Sequence, residues 1–342
     1  MRLVSLTDPP DCVTDIPAGV VIATGSDLST ARAGYWLDRA TFTLTDHDAD
    51  DRRVVTVESV AAAVADLAGR LKRWPQGAAV CDDVLRSVDP TAPVLTGVIT
   101  ESLAYSTLQS GPEFARWLAE RGPATVPGSA APVQSQRDGD TLHIRLNRPR
   151  RYNAFSTEMR AALLEALTVA RLDPSIDEVV LTGNGPSFCS GGDLAEFGTF
   201  TDPPSAHLAR TRYSPALSLD ELTGRLGRRC RAEVHGQVLG SGLEMAAYCG
   251  WVRAHPDAVV GLPELSIGLL PGAGGTVSVT RRIGRWRTAY LVLSGRTIDA
   301  ATALRWGLVD EVDEVNEAHE ADESTEADEA DKPNEADEAG AW

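Results

Sequence analysis

His235-Gly-Gln-Val-Leu-Gly-Ser-Gly-Leu-Glu-Met-Ala246 is a strand ending that breaks into glycines and restarts as a helix. Residues 232–234 just before it read as a short strand closed by His235-Gly236, and residues 242–249 are small and helical. The same plan occurs upstream. Residues 179–182 form a short apolar strand closing on Gly183, and Phe188-Cys-Ser-Gly-Gly-Asp-Leu194 supplies the glycine-rich turn. A helix start leaves backbone N–H groups without intrahelical partners, and the helix dipole adds partial positive charge there. Two such turns facing each other can hold one carbonyl oxygen that becomes negative during a reaction, which is what an oxyanion hole requires. Neither turn carries the GxGxxG of a dinucleotide site. Pro271-Gly-Ala-Gly-Gly275 lacks the Gly-Lys-Ser/Thr of a phosphate loop and reads as a sharp turn.

Strands and helices alternate around these turns. Residues 141–146 alternate apolar and polar side chains and suit a strand. Ser156 is placed to cap a helix whose Met159, Leu163 and Leu167 fall four apart on one face. Residues 251–254 return as a strand, and 287–293 are helical. Such alternation predicts an α/β layered fold with helices packed on sheet faces.

The chain has 342 residues, 43% hydrophobic and 24% charged, enough for one large domain or two modest ones. No apolar run approaches the roughly 20 residues that a membrane-spanning helix needs. MRLVSLTDPPDC at the start has no apolar signal core, so a cytoplasmic location is expected. Five scattered cysteines (Cys12, Cys81, Cys189, Cys230, Cys249) contain no CxxC pair, which argues against a disulfide framework and a zinc site. The net charge of −17 is unevenly spread: residues 311–342 hold fourteen Asp/Glu and one Lys, leaving −4 for the rest. No basic stripe with interleaved aromatics marks a nucleic-acid binder. EADE recurs at Glu320, Glu326 and Glu335 in a tail with little to bury, so residues 313–342 are expected to be a disordered solubilising or docking segment. Gly122-Pro-Ala-Thr-Val-Pro-Gly-Ser-Ala-Ala-Pro132 reads as a linker, setting off 1–121 as a mainly helical region, 122–134 as linker and 135–312 as a dense α/β core.

Across that core, LNRPRRYNAF (146–155), SFCSGGDL (187–194), HGQVLGSGLEMA (235–246) and GLPELSIGLLPGAGG (261–275) stand in the order and at the spacings of the crotonase superfamily, the enoyl-CoA hydratase/isomerase family. TRRIG (280–284) and LSGRTIDAATALRWGLVDEV (293–312) continue the resemblance. It implies a crotonase-like α/β spiral of ββα units with surrounding helices, coenzyme A thioester substrates and a stabilised enolate. The implied oxyanion donors are the backbone N–H groups of Gly192 and Ser241, the second position being usually glycine in the family. The implied catalytic pair is Glu244, in the first turn of the helix after the second glycine turn, and Glu264, in the Pro-Glu step twenty residues later. The dipole at Glu244 suits a base that activates water, and apolar Leu262, Pro263, Leu265 and Ile267 around Glu264 would keep a proton on it. Coenzyme A contacts are expected from Arg150, Arg151, Ala154, Ser190, Asp193 and Leu194, the arginines at the phosphates and Asp193 and Leu194 on the adenine side. No metal, flavin or nicotinamide is implied, coenzyme A being part of the substrate.

Both carboxylates favour hydration of a trans-2-enoyl-CoA to a 3-hydroxyacyl-CoA. Isomerisation or thioester hydrolysis on the same scaffold, or a non-catalytic acyl-CoA-binding subunit, stay open. Ser241 as a nucleophile has no GxSxG elbow behind it. Cys189 is expected to be packing, and His235 to close a strand turn. Residues 197–214 read as a mobile insertion shaping the acyl end. Members of the family normally continue past GLVDEV with helices that cover the site and build trimers, and a homo-oligomer is expected. Here Glu101–Arg121, after amphipathic segments at 57–73 and 78–88, resembles those closing helices, so a rearranged chain order is expected. A degenerate second unit or an unrelated helical domain is the alternative.

Overall fold

The computed structural model describes residues 1–9, 19–199 and 202–314; Cys12 and residues 315–342 lie outside them. Residues 1–312 form one unit. In chain order the elements are β1 (Arg2–Ser5), β2 (Val21–Thr24), α1 (Ala31–Arg39), β3 (Phe42–Thr45), β4 (Val54–Thr56), α2 (Val60–Arg73), α3 (Pro75–Ser87), α4 (Val94–Gln109) and α5 (Pro112–Arg121). After a stretch without helix or strand come β5 (Val133–Asp138), β6 (Thr141–Leu146), α6 (Thr157–Leu172), β7 (Glu178–Gly183), α7 (Pro203–Arg212), α8 (Pro215–Leu226), β8 (Cys230–Val234), β9 (Gln237–Leu239) and α9 (Ser241–Ala246). β10 (Trp251–Ala254), β11 (Val259–Gly261), α10 (Gly275–Ser294), β12 (Ile298–Asp299), α11 (Ala300–Trp306) and β13 (Glu311–Val312) complete the described chain.

The core repeats one unit four times. Each turn lays a strand in a six-stranded sheet, ordered β13-β10-β8-β7-β6-β5, and then a short extended stretch outside that sheet before a helix. β8 is followed by β9 and α9, and β10 by β11 and then α10. β6 is followed by the bridge Phe155↔Gly192 and α6, and β7 by the bridge Cys189↔Val238 and then α7 and α8. The large sheet is parallel except where β5 meets β6. This is the ββα spiral that the motifs implied.

Local sequence explains the placement. On β6, Leu142, Ile144 and Leu146 are buried while Arg145 is exposed, the period-two pattern of a strand with one covered face. Ser156 accepts a hydrogen bond from Met159 N at 3.2 Å and starts α6, whose Met159, Leu163, Ala166, Leu167 and Ala170 are buried. Such a cap contributes about 1 kcal/mol.

The first 57 residues hold structure that the sequence reading did not assign, a four-stranded parallel sheet ordered β1-β2-β3-β4. Alternation sorts its two faces. Val4, Val21 and Ala23 pack with Trp36 and Leu37 of α1, whereas Ile22, Phe42 and Leu44 join the main core. There Phe42 meets Tyr290 of α10 edge-on at 5.5 Å. α2 to α5 share that core through Leu67, Leu71, Ala78, Cys81, Val98, Leu108 and Phe114. Residues 197–214 also differ from expectation: apart from 200 and 201, which are not described, they carry α7, whose Arg210 bonds Ser102 and Gln109 of α4. The sequence reading did not assign this helix, which a cation ties to its neighbour. Among the described residues no helix is long and apolar enough to cross a membrane.

Candidate active site

The two glycine-rich turns are sewn together by main-chain bonds. Cys189 N donates to Gln237 O at 3.0 Å, and Leu239 N donates back to Cys189 O at 2.9 Å. Phe155 N donates to Gly191 O at 2.8 Å and Asp193 N to Phe155 O at 3.0 Å. In this parallel bridge the flanking residues make the bonds, so Gly192 turns its own N–H to the other side, where it meets no described group. Gly240, at φ 48°, then opens α9, and Ser241 N, in its first turn, is likewise unbonded among the described residues. Gly192 and Ser241 both line one cavity of about 310 Å³.

Three carboxyl groups stand beside those amides. Glu244, buried in the first turn of α9, accepts through Oε2 from Ala273 N and Gly275 N, each at 2.7 Å. Gly275 has to be glycine, because a Cβ there would lie 2.5 Å from Glu244 Cγ. Glu264, in a 3₁₀ turn after β11, lays Oε1 against Gly240, where a Cβ would come within 2.7 Å. Its Oε2 is buried without a hydrogen-bond partner among the described residues. Glu101, on α4, accepts through Oε1 from Gly274 N at 2.7 Å and through Oε2 from Thr276 N at 2.9 Å and Thr276 Oγ1 at 2.7 Å. Glu244 and Glu264 line the cavity; Glu101 lies behind its wall.

Burial raises all three acids. Glu244 is pushed up to about 7 by desolvation, against the pull of its amide bonds. Glu101 is pushed up to about 8 by burial and then by the charge of Glu244. Glu264 lies well above the usual carboxylate range through burial, reinforced by the charges of Glu244 and Glu101. Three acids this close do not all ionise together. Glu264 has one oxygen without a hydrogen-bond partner among the described residues, while Glu244 and Glu101 are oriented as acceptors by amides.

A sequence profile described as Enoyl-CoA hydratase/isomerase matches residues 137–336. The chain belongs to this family. The probable enoyl-CoA hydratase echA8 of Mycobacterium leprae is 36% identical over 171 residues, which are 49% of this chain and 63% of that protein. The 2,3-dehydroadipyl-CoA hydratase of Escherichia coli is 36% identical over 176 residues, 52% of this chain and 67% of that protein. The match thus spans about two thirds of the length of these relatives. The crystal structure of an enoyl-CoA hydratase from Thermoplasma volcanium is 35% identical, with a TM-score of 0.46 over 59% of this chain and 78% of that one.

Within this enoyl-CoA hydratase/isomerase core, the other predicted residues divide. Ser190 and Leu194 line the cavity, Leu194 half-exposed. Asp193 lies in its wall, but its buried carboxylate accepts from Arg148 and Arg151 at 2.8 Å each, so the side chain pins the 148–155 segment. Arg151 is thereby held by Asp193, while Arg150 is exposed. Ala154 is buried behind the lining, its carbonyl accepting from Arg148. His235 Nε2 meets Gly185 O at 2.8 Å and closes the strand turn. The Cys189 thiol is pushed up to about 12 by burial, consistent with packing. Ser241 Oγ is buried with no hydrogen-bond partner among the described residues, so no base touches it. Sequence reading missed Glu101, Tyr105, Gln109, Arg160 and Arg210 as individual residues; Glu101, Tyr105 and Gln109 carried a signal through the resemblance of 101–121 to the family's closing helices, Arg210 through the 197–214 segment, and Arg160 none.

Proposed function

We propose that the chain hydrates a trans-2-enoyl-CoA to a 3-hydroxyacyl-CoA, with coenzyme A as part of the substrate. The observation that carries this reading is that Glu244, Glu264 and two outward-turned amides, those of Gly192 and Ser241, border one cavity. The thioester oxygen sits between the two amides. Glu244 takes a proton from water as its oxygen bonds to C3, and electrons move onto the thioester oxygen as an enolate. Glu264 then gives its proton to C2, the carbonyl re-forms, and proton exchange between the two acids resets the site.

Each part has a physical reason. An oxyanion donor is worth on the order of 3–4 kcal/mol of barrier in a dry site. General acid–base catalysis contributes about 10²–10⁴-fold when the catalytic pKa lies near the working pH. Glu244, at about 7, suits the base. Glu264, raised further, suits the acid. The pair of family features, both glutamates at their expected positions, favours hydration over isomerisation, which needs one. The test is Glu244→Gln and Glu264→Gln: each should lower hydration of crotonyl-CoA by about 10²-fold or more while a saturated acyl-CoA still binds. Full activity in either variant would remove that residue from its role.

A further inference from the structure

Two cations border the same cavity without an ion-pair partner among the described residues. Arg160 lies one turn into α6 and Arg210 on α7, and both line the cavity wall. The Arg160 guanidinium makes no hydrogen bond or ion pair with a described residue. Arg210 is held by neutral groups alone: its Nε donates to Ser102 Oγ at 3.1 Å and a terminal nitrogen to Gln109 Oε1 at 3.0 Å, with Ser106 Oγ as a further acceptor. The ring of Tyr105 lies 4.5 Å from its guanidinium carbon.

Of the acids that share the cavity, Glu264 has an unpartnered oxygen and a pKa raised by burial, and the other three are engaged elsewhere. Asp193 holds Arg148 and Arg151, and Glu244 holds the amides of Ala273 and Gly275. Glu196 accepts from Thr157 N at 2.8 Å and Thr157 Oγ1 at 2.9 Å, and offsets part of the Arg160 charge from a distance. Burial lowers the pKa of both guanidinium groups; at Arg210 it outweighs Tyr105 and Glu101, which act the other way, and the charge of Arg160 adds to the lowering. Two partly buried like charges that line one cavity cost free energy until an anion joins them.

We propose that Arg160 and Arg210 form an anion subsite for the acyl chain, so that the substrate is an enoyl thioester bearing a carboxylate at the end remote from the thioester. This rests on reading the cavity as an acyl-CoA site. Arg210 belongs to the 197–214 segment, and Phe155, Phe197 and Ile267 give the cavity an apolar wall for an acyl chain. A carboxylate matches the fork of a guanidinium with two parallel hydrogen bonds. An alkyl end of equal length leaves both cations desolvated and unpaired, which a polar subsite rejects strongly.

The phosphates of coenzyme A are the other anions that such cations could meet, and binding separates the two sources. Dissociation constants are measured for adipyl-CoA, hexanoyl-CoA and free coenzyme A with the full chain and with Arg160→Met. Arg160 is the cleaner position because its side chain holds no neighbour in place. These saturated esters bind without turnover, so the result does not depend on whether the chain hydrates. Adipyl-CoA should bind about tenfold or more tightly than hexanoyl-CoA. Arg160→Met should remove most of that difference and change the affinity for free coenzyme A by less than about twofold. Equal affinity for the two esters overturns the proposal. So does a loss of free coenzyme A affinity matching the loss for adipyl-CoA, which assigns the cations to the phosphates. Selective binding of adipyl-CoA by a chain that hydrates neither 2-enoyl ester upholds the subsite and sinks the hydration reading alone.

Discussion

Glu101 and Glu244 grip one turn through alternate amides: Ala273 N and Gly275 N donate to Glu244, while Gly274 N and Thr276 N donate to Glu101. Four successive backbone donors are shared between a carboxyl group of the core and one supplied by the first 121 residues. The turn is the Pro-Gly-Ala-Gly-Gly stretch, whose small residues let both side chains approach. Glu101→Ala leaves two buried amides and a hydroxyl without acceptors, each costing about 1–3 kcal/mol. The expected outcome is a lower Tm. Glu101→Gln, which keeps one carbonyl acceptor, should fold better and lower kcat by about tenfold with KM little changed, since a base moved by a fraction of an ångström loses alignment. Wild-type kcat in folded Glu101→Gln would show that the turn holds Glu244 without help.

The pH dependence follows from the raised acids. The base must be ionised, so kcat/KM should fall as pH drops through about 7, where Glu244 titrates. The acid must be protonated, so activity should also fall at high pH, as Glu264 loses its proton. A bell-shaped profile is expected, and residual activity in Glu264→Gln should lack the alkaline limb. A flat profile from pH 6 to pH 9 (a range of about three units around these groups) contradicts these roles.

The same shifts act on stability. A carboxyl group whose pKa is higher in the folded state than in the unfolded chain favours folding when protonated, so its contribution is present below the unfolded value and is lost as pH rises through the folded one. Glu264 has the unpartnered oxygen and the strongly raised pKa. Glu264→Gln should therefore raise Tm at alkaline pH and change it little in mild acid, while it lowers activity by about 10²-fold or more. Thermal melts at the two pH values read this directly; an equal shift at both contradicts the linkage.

Asp193 carries a different load. Its carboxylate, with no exposed surface, joins Arg148, 3% exposed, to Arg151. Asp193→Ala strands the buried Arg148 cation, and removing one partner of a buried pair costs about 3–5 kcal/mol. Chemical denaturation should show that loss, and the 148–155 segment beside Gly192 should become easier to cleave by protease. A loss near zero would place Arg148 in contact with water instead.

We further propose that α4 and α5 stand where the family's closing helices stand, at the other end of the chain order. α4 brings Tyr105 and Gln109 to the cavity and Glu101 to its wall. Deleting residues 1–121 should yield an insoluble or inactive core. A soluble core with full turnover would make the segment an independent domain.

Much of this was legible because short-range rules govern it. Ser156 caps α6 and the strand at 141–146 alternates, as one turn of chemistry and a period of two dictate. The glycine turns at 188–194 and 235–244 were readable as helix openings, while the particular amides, those of Gly192 and Ser241, came from the resemblance to the family. What stayed hidden depends on distance along the chain. Glu101 meets Thr276, 175 positions away. Asp193 reads as one acid among many until the fold buries it between two arginines. The sheet at β1–β4 escaped because its strands, of three or four residues, are too short to show a period. Residues 197–214 read as an insertion shaping the acyl end, and Arg210's bonds to α4 help hold 203–212 as a helix.

The most direct measurement is turnover of crotonyl-CoA in ¹⁸O-labelled heavy water, with the position of each label read by mass spectrometry and NMR. If the two amides hold the thioester oxygen while Glu244 activates water and Glu264 protonates the α-carbon, the product is 3-hydroxybutyryl-CoA with ¹⁸O on C3 and deuterium on C2. Label in a released carboxylate together with free coenzyme A would make the chain a hydrolase. Deuterium incorporated at C4 with no ¹⁸O on carbon would make it an isomerase, and either result contradicts hydration by this pair of acids.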